Sequence, residues 1–411
     1  MRMLLACFLL SSCFGAAQSA TPVQSPAATV PSSPATGPAP SLPASLAARS
    51  SPASLAAPSL PASLAARRAQ LLHRGLNASM WFAQANDYSP TRLRSYTTAD
   101  DIALMHSMGF DHVRLSIDGD ELLRGAPPNG LNATFIAELD TAVNTMLKDD
   151  LRVIVDVHPS DEFKHQLRTE DAAVTRFCAL WSALAGHYAQ SDPDRVFFEV
   201  LNEPEFDNPQ QWTAVQNRLI AAIRAAAPYH TIIATPQHYS GLTDLLTLEP
   251  VMDPNVIYTF HDYEPFPFTH QGATWTMEQV RPLRRVPYPS SPENIAPVVS
   301  QEQRLIDQHW INTYGLDRWD AARIRSELNF AGKWAALHHV PVYCGEFGVY
   351  QPFADPAMRA AWLHDTRTAL EEQGIGWAVW DYQGSFAVVT RTNGKAVPIP
   401  AVANALGLHP Q

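Results

Sequence analysis

The stretch VFFEVLNEP, residues 196–204, is apolar up to Leu201 except for one glutamate and then becomes polar. Such a short run of aromatic and β-branched residues is typical of a strand buried within a parallel sheet. Asn202 and Glu203 follow at its carboxyl end. Charged and amide groups at the end of a buried strand are costly unless they are paired or used. The stretch therefore predicts a parallel sheet with a functional edge.

Similar apolar runs recur on both sides of this one and alternate with amphipathic helical patterns. The strand candidates are LHRGLN (72–77), HVRLSI (112–117), RVIVDV (152–157), VFFEVL (196–201), TIIAT (231–235), VIYTF (256–260), PVYCGEF (341–347) and GWAVWD (376–381). The clearest helical patterns cover 98–108, 132–148, 170–190, 208–226, 320–339 and 354–373. Thr98 and Gly109 are typical residues for the start and end of a helix.

Eight strands separated by helices predict a (β/α)₈ TIM barrel over residues 67–411. An open doubly wound sheet is the alternative. It is disfavoured because RGLNASMWF, at the first strand, has one glycine where a dinucleotide-binding loop needs three. In a barrel, the chemistry is expected at the carboxyl ends of the strands and in the loops that follow them.

The first 66 residues differ from the rest of the chain. Arg2, an apolar run to Phe14 and small residues up to Ala20 have the layout of a secretory signal peptide, residues 1–20. Residues 21–66 are rich in Pro, Ala and Ser and predict a disordered linker. The protein is therefore expected to be exported, extracellular or periplasmic. Leu10-Ser11-Ser12-Cys13 also resembles a lipoprotein cleavage site, so a membrane tether through a lipid on Cys13 is the alternative.

The charge balance restricts the class of partner. Residues 67–411 contain 27 basic and 40 acidic residues, so both nucleic acid and anionic membrane surfaces would repel this region. A neutral partner and a monomeric protein are expected. Cys178 and Cys344 are the cysteines outside the signal. They lie far apart in unlike elements, which favours two buried free thiols over a disulfide.

Residue types that carry chemistry recur at nearly every strand end. They are Arg114, His158, Asn202, Glu203, His261, Tyr263, Glu346 and Trp380. Glu203 and Glu346 end the fourth and seventh strands, which face each other across a barrel mouth. Paired carboxylates on either side of a bond are the apparatus of glycoside hydrolysis. The sequence thus predicts that these two glutamates are close neighbours at one rim.

The surroundings of the two glutamates assign their roles. Arg114 and Tyr263 are available to stabilise Glu346 as a carboxylate, which makes it the expected nucleophile. Glu203 is then the general acid and later the base, with a pKa raised toward roughly 6 or 7, partly by the negative charge across the cleft.

Other rim residues are candidates for contacts with a sugar. Asn202 is suited to bind a sugar 2-hydroxyl, and His158 and His261 offer further hydrogen bonds. Trp380 offers an indole face for stacking, with a core tryptophan as the alternative. His338-His339 lacks a third ligand at zinc spacing and no HExxH motif occurs, so neither a metal nor another cofactor is expected.

The ordered motifs VRLSI, DVHP, LNEP, FHDY, GEFG and AVWDY resemble those of glycoside hydrolase family 5, and the resemblance covers essentially all of residues 67–411. It implies a retaining endoglucanase that cleaves internal β-1,4 bonds of cellulose-like or mixed-linkage β-glucan. A β-mannanase, a xylanase or an exo-acting β-glucosidase are alternatives on the same fold. A carbohydrate-binding protein without turnover is the alternative from another class, although binding alone needs no pair of glutamates.

Two departures and one long segment concern the substrate. Pro159 stands where many relatives have a second histidine, and Gln237-His238 stand where a tryptophan commonly lines the groove, which makes His238 a candidate for a substrate contact. The segment 262–319 is too long for an ordinary connection. It contains the aromatic residues Phe266, Phe268, Trp275 and Tyr288, which are either sugar platforms or a small core of the segment itself. A platform is predicted only for Trp275.

Overall fold

The computed structural model describes residues 63–127 and 130–409. Within these ranges eight parallel strands close into a barrel in chain order, and an antiparallel hairpin follows. The barrel strands are β1 Arg74–Phe82, β2 His112–Ile117, β3 Arg152–Val157, β4 Val196–Glu199, β5 Ile232–Ala234, β6 Val256–Asp262, β7 Val342–Phe347 and β8 Gly376–Val379; the hairpin is β9 Val389–Thr392 and β10 Lys395–Pro398. β1 pairs with β8. The predicted barrel is therefore confirmed, and the open sheet is wrong.

Helices alternate with the barrel strands. They are α1 Leu64–Ala69, α2 Pro90–Tyr96, α3 Ala99–Met108, α4 Gly119–Leu123, α5 Ala133–Lys148, α6 Asp161–Thr169, α7 Asp171–His187, α8 Pro209–Ala226, α9 Leu242–Thr247, α10 Phe266–Thr269, α11 Pro292–Val299, α12 Leu305–Asp317, α13 Ala321–His338, α14 Pro356–Glu372 and α15 Pro400–Ala405. The predicted limits of α3 are confirmed: Thr98 accepts a hydrogen bond from the Asp101 amide, and Gly109 ends the helix at φ 101°. Among the described helices, none combines the length and apolar character of a membrane span.

The core has two parts because strand side chains alternate between the barrel interior and the helix layer. The interior cluster consists of Ala65, Leu72, Ile154, Phe197, Ile233, Ile257, Tyr343 and Ala378. At Gly75 a Cβ atom would lie 2.1 Å from the His112 imidazole, so this position requires glycine. The much larger outer cluster fills the space between the strands and the surrounding helices. These packed layers hold the strand ends in place.

Two expectations need correction. The folded region begins before residue 67, since Ser63 caps α1 and Ala65 is buried in the barrel cluster. A short Ala-rich stretch has the composition of a linker, but burial against the barrel makes it helical.

The two cysteines are free thiols, as predicted, but only Cys344 is buried, whereas Cys178 is half-buried. The predicted signal peptide, Cys13 and linker residues 21–62 lie outside the described residues.

The long segment after β6 has structure of its own. It contains α10, a 3₁₀ turn at Glu278–Val280, α11 and α12. Phe268 and Tyr288 are fully buried and pack against each other, with ring centroids 5.3 Å apart. Phe266 stacks on His270 at 4.0 Å. These aromatic residues form a small core of the segment, whereas Trp275 is 56% exposed.

Candidate active site

The strand ends bring the predicted site residues to one mouth of the barrel. Arg114 lies in β2 and His158 directly follows β3, while Glu203 comes four residues after the end of β4. His261 and Glu346 are the second-last residues of β6 and β7, and the two are paired in register. Because all eight strands are parallel, these carboxyl ends share one rim.

A buried cation organises the floor of this site. The Arg114 guanidinium is fully buried and makes two hydrogen bonds to Glu199, at 2.8 and 2.7 Å. It also donates to Glu346 Oε1 at 2.7 Å and to Asn202 Oδ1 at 2.9 Å, and lies 3.2 Å from Asp156 Oδ2. Despite burial, these carboxylates raise the pKa of Arg114 well above its usual value. The guanidinium therefore stays charged and fixes the side chains around it.

Glu346 has a hydrogen-bond donor on each oxygen. Arg114 serves Oε1, and the Tyr263 hydroxyl donates to Oε2 at 2.8 Å. His261 Nδ1 is 3.7 Å from the same Oε2. Hydrogen bonds from a cation and a phenol stabilise the ionised form of a carboxyl group. The arrangement predicted for Glu346 from the sequence is thus present.

Glu203 has a different environment. Its Oε1 lies 2.9 Å from His261 Nδ1, and its side chain is 24% exposed toward the mouth. Burial raises the pKa of Glu203, while the positive charges of Lys164 and Arg114 oppose that rise. The predicted direction is confirmed, but the main cause is loss of solvation rather than the negative charge across the cleft.

The two glutamates are close neighbours. One oxygen of Glu203, one oxygen of Glu346 and one nitrogen of His261 all lie within 4.8 Å of one another. Carboxyl groups in retaining glycosidases are about 5 to 5.5 Å apart, whereas inverting enzymes separate them by about 6.5 to 9.5 Å.

The side chains of Glu203, Glu346 and His261 are also of types that bind metal ions. The Arg114 cation already occupies one face of Glu346, however, so a second cation would meet electrostatic repulsion.

His158, Asn202 and Trp380 form one connected wall. His158 Nε2 lies 3.1 Å from the Asn202 amide nitrogen, and His158 Nδ1 lies 3.3 Å from Asp156 Oδ2. Burial lowers the pKa of His158 to about 3, so its imidazole is neutral. Trp380 stacks on it with ring centroids 5.8 Å apart and is partly exposed. This partial exposure favours the stacking role of Trp380 over a core tryptophan, and that role stays a prediction.

Two predicted residues lie farther out. His238, in the loop after β5, is 2.9 Å from Asp244 Oδ1, and its side chain is 41% exposed. Trp275 packs edge-on against Tyr350, with ring centroids 4.8 Å apart, in the segment after β6. Both stand on rim loops, and these contacts are with Asp244 on α9 and with Tyr350 after β7 rather than with the glutamate pair.

Sequence reasoning missed the residues beneath Arg114. Asp156 and Glu199 are fully buried on β3 and β4, and Asn77 on β1 accepts from Arg114 at 2.9 Å. A signal was present, because Asp156 and Glu199 are acidic residues inside otherwise apolar strands. Lys164 and Glu205, which form an ion pair at 3.0 Å, were missed as well. Their separation in sequence left no local pattern.

Comparisons with known proteins agree with this geometry. The family model for cellulase (glycosyl hydrolase family 5) matches residues 74–385. Endoglucanase 3 of Fibrobacter succinogenes is 29% identical over 347 residues, which cover 79% of this chain and 51% of that protein. Endoglucanase C of Acetivibrio thermocellus is 28% identical over 315 residues, covering 75% of this chain and 90% of that protein. The chain thus spans about half the length of the Fibrobacter relative.

A solved structure adds a three-dimensional comparison. The endoglucanase Cel5A of Thermotoga maritima superposes with a TM-score of 0.67 at 26% identity, covering 83% of this chain and 98% of that one. The same Thermotoga protein has been solved in complex with cellobiose and with mannotriose.

Proposed function

This chain belongs to glycoside hydrolase family 5, and from that membership and its paired glutamates we propose that it is a retaining endo-β-1,4-glucanase. The observation that carries the proposal is the approach of one oxygen each of Glu203 and Glu346 to within 4.8 Å. That approach comes with unlike surroundings, which suit one carboxyl group to attack and the other to transfer protons. Relatives named endoglucanases support the choice of β-1,4-glucan.

Glu346 is the nucleophile. Arg114 and Tyr263 donate hydrogen bonds to its two oxygens at 2.7 and 2.8 Å, which orients the carboxylate and limits its rotation. It attacks the anomeric carbon and forms a covalent glycosyl–enzyme ester while the glycosidic oxygen departs. Water then cleaves the ester, and the second inversion at the same carbon restores the β-configuration.

Glu203 is the acid and then the base. Its raised pKa keeps the proton available for the departing glycosidic oxygen in the first step. Once it has donated that proton, it is a carboxylate and takes a proton from the incoming water. His261, 2.9 Å from Glu203, orients this carboxyl group and has a pKa lowered by burial to about 4, so it remains neutral through the cycle.

The wall formed by Asn202, His158 and Trp380 binds the sugar at the cleavage point. Arg114 donates a hydrogen bond to Asn202 Oδ1. The amide N–H groups of Asn202 are therefore left to face His158 and the substrate. An amide held this way suits the 2-hydroxyl, whose hydrogen bond strengthens in the transition state. The partly exposed Trp380 indole offers an apolar face to a pyranose ring.

Contacts with the remaining chain come from the rim loops. Trp275, exposed and supported edge-on by Tyr350, is suited to a flat glucose unit beyond the cleavage point. His238, whose Nδ1 faces Asp244, offers its other nitrogen to a sugar hydroxyl. An enzyme that cuts internal bonds needs such contacts with the chain beyond the cleaved bond.

The N-terminal sequence supports export. A signal over residues 1–20 and a Pro/Ala/Ser linker would release a monomeric catalytic domain outside the cytoplasm, where polymeric β-glucan is found. A lipid on Cys13 would instead hold the domain at a membrane surface with the linker as spacer. Mass spectrometry of the mature N-terminus separates these two forms.

Hydrolysis of a polymer panel tests the proposed function. Carboxymethylcellulose, mixed-linkage β-glucan, mannan and xylan are incubated with the enzyme and with Glu346→Gln as the inactive control. We expect reducing ends and a rapid fall in viscosity with the two glucans. Proton NMR of the first product should show the β-anomer. An α-anomer, or hydrolysis of none of the polymers, would refute the proposal.

A further inference from the structure

A lysine is buried near the acid/base glutamate. Lys164 lies on α6, is 4% exposed, and donates a hydrogen bond to Glu205 Oε1 at 3.0 Å. Lysine is rarely buried to this extent unless it is paired, because removing an ammonium group from water costs several kcal/mol, on the order of 5. Helix α6, which follows β3, therefore carries a buried cation next to the segment that holds Glu203.

Glu205, the partner of Lys164, lies two positions after Glu203 in a segment whose backbone is constrained. Arg168, also on α6, donates to the Glu205 carbonyl oxygen at 3.1 Å and contacts its carboxylate at 3.4 Å. The Glu205 amide donates to the His238 carbonyl oxygen at 2.8 Å. Glu203 and Glu205 have φ angles of 41° and 60°. Such angles cost about 1 to 3 kcal/mol per residue and persist only when the surroundings enforce them.

The charge of Lys164 also acts on Glu203. Burial raises the pKa of Glu203, and among the charges that oppose the rise Lys164 contributes most. Other groups facing this carboxyl group come from several elements. They are Arg114 from β2, Asp156 from β3, His158 after β3, Glu205 on the same segment, Tyr239 after β5, His261 and Tyr263 from β6 and its end, and Glu346 from β7. Both His158 and His261 are neutral, which leaves Lys164 and Arg114 as the fixed cations of this set.

We propose that Lys164 is a positioning residue for the acid/base Glu203, acting through its ion pair with Glu205. The pair holds the segment after β4 in its strained form and keeps one positive charge at a set distance from the proton donor. Arg114 is already engaged by Glu199, Asp156 and Glu346. Lys164 is thus the cation left to balance Glu203. This inference rests on the proposed function, since it assumes that Glu203 transfers the proton.

Substitution of each partner separates this role from a merely structural one. Lys164→Met and Glu205→Gln both break the ion pair but change the charge near Glu203 in opposite directions. If the pair only supports folding, both variants lose activity or stability with the pH profile unmoved. If it sets the acidity of Glu203, the two profiles move apart.

The experiment compares the pH dependence of kcat/KM on cellotetraose for the wild type and four variants. The alkaline limb reports deprotonation of the acid in the free enzyme. For Lys164→Met we expect this limb about 0.5 to 1 pH unit higher, because loss of a cation disfavours the carboxylate. For Glu205→Gln we expect a shift of similar size to lower pH. Lys164→Arg retains the positive charge, so its alkaline limb should coincide with that of the wild type. Lys148→Met, an exposed lysine at the end of α5, serves as the matched control.

Carbon NMR titration of the Glu203 carboxyl carbon gives a second readout that does not need turnover. Opposite displacements of its pKa in Lys164→Met and Glu205→Gln support the inference. Displacements of the same sign, or none in folded variants, overturn it. A wild type that hydrolyses no β-1,4-glucan refutes the proposed function, and the NMR titration still decides whether Lys164 tunes Glu203. Should Lys164→Met not fold, the other two variants decide. A Glu203 pKa that is lowered in Glu205→Gln and unchanged in Lys164→Arg supports the inference, and an unchanged pKa in Glu205→Gln overturns it.

Discussion

Tyr263 donates its phenolic hydrogen to Oε2 of Glu346 at 2.8 Å. Burial and the negative charge of Glu346 raise the pKa of Tyr263 well above its usual value, so the phenol remains protonated and keeps its role as donor. Arg114 serves the other carboxylate oxygen. With one donor on each side, the plane of the carboxylate is fixed before substrate arrives, which is the preorganisation that a nucleophile needs.

Removing that phenolic donor should slow the reaction without unfolding the protein. In Tyr263→Phe, Oε2 of Glu346 loses its hydrogen bond, and a bond to a charged group contributes about 1.5 to 3 kcal/mol. We expect kcat to fall roughly tenfold to a hundredfold, with a nearly unchanged unfolding midpoint. Steady-state kinetics on an aryl cellobioside and thermal unfolding measure the two effects. Wild-type kcat in this variant would show that the bond does not assist the nucleophile.

Glu346→Gln should abolish turnover and retain the binding of oligosaccharides. An amide cannot attack the anomeric carbon, yet it has nearly the shape of the carboxylate and still accepts a hydrogen bond. Calorimetric titration with cellotetraose should give an affinity within a few-fold of that of other inactive variants. Near-normal hydrolysis by Glu346→Gln would remove this residue as the nucleophile.

Glu203→Gln should lose activity in a way that depends on the leaving group. General acid assistance contributes roughly a hundredfold to ten-thousandfold, so cellotetraose hydrolysis should fall by that amount. Dinitrophenyl cellobioside should be affected least, since its leaving group departs without a proton. Comparing kcat for both substrates provides the measurement. Equal losses on the two would contradict the role of Glu203 as the acid.

Asp381, two residues after the end of β8, is expected to make stability depend on pH. Its carboxyl group is buried and accepts a hydrogen bond from Ser79, and burial raises its pKa to about 7. In the unfolded chain this pKa is about 3.9. The folded state therefore holds a proton that the unfolded chain releases, so the stabilisation is complete below about pH 4 and is lost as the pH rises to about 7.

The variant Asp381→Asn does not titrate and should gain stability relative to the wild type as the pH rises. The gain between pH 5 and pH 8 should be on the order of 1 to 3 kcal/mol. Urea unfolding of both proteins at the two pH values measures it. A difference between variant and wild type that stays constant with pH would show that Asp381 does not titrate in this range.

Arg114→Met should destabilise the fold strongly. The substitution leaves the buried carboxylates of Glu199, Asp156 and Glu346 without their shared cation. Breaking a buried ion pair costs about 3 to 5 kcal/mol. Chemical denaturation should show a loss of this size, against little change in Arg176→Met, whose side chain is 56% exposed and 3.9 Å from Glu170. A small effect at Arg114 would mean that those carboxyl groups are protonated.

The strands and most helices were predictable because their signals are local. HVRLSI and RVIVDV match β2 and β3 residue for residue, since short apolar runs between polar turns have few other folded forms. Thr98 and Gly109 marked α3 because capping depends on adjacent residues alone. Ser63 and Ala65 were misjudged because their helix depends on burial against the barrel.

The amino-acid order by itself determined the barrel and the glutamates at the ends of β4 and β7, because a parallel sheet sends every such end to the same rim. It could not determine that Asp156, Glu199 and Asn77 surround Arg114, or that Lys164 on α6 contacts Glu205. Those contacts join residues that are tens of positions apart. Side-chain packing in three dimensions decides them, and with them the unequal electrostatic environments of Glu203 and Glu346.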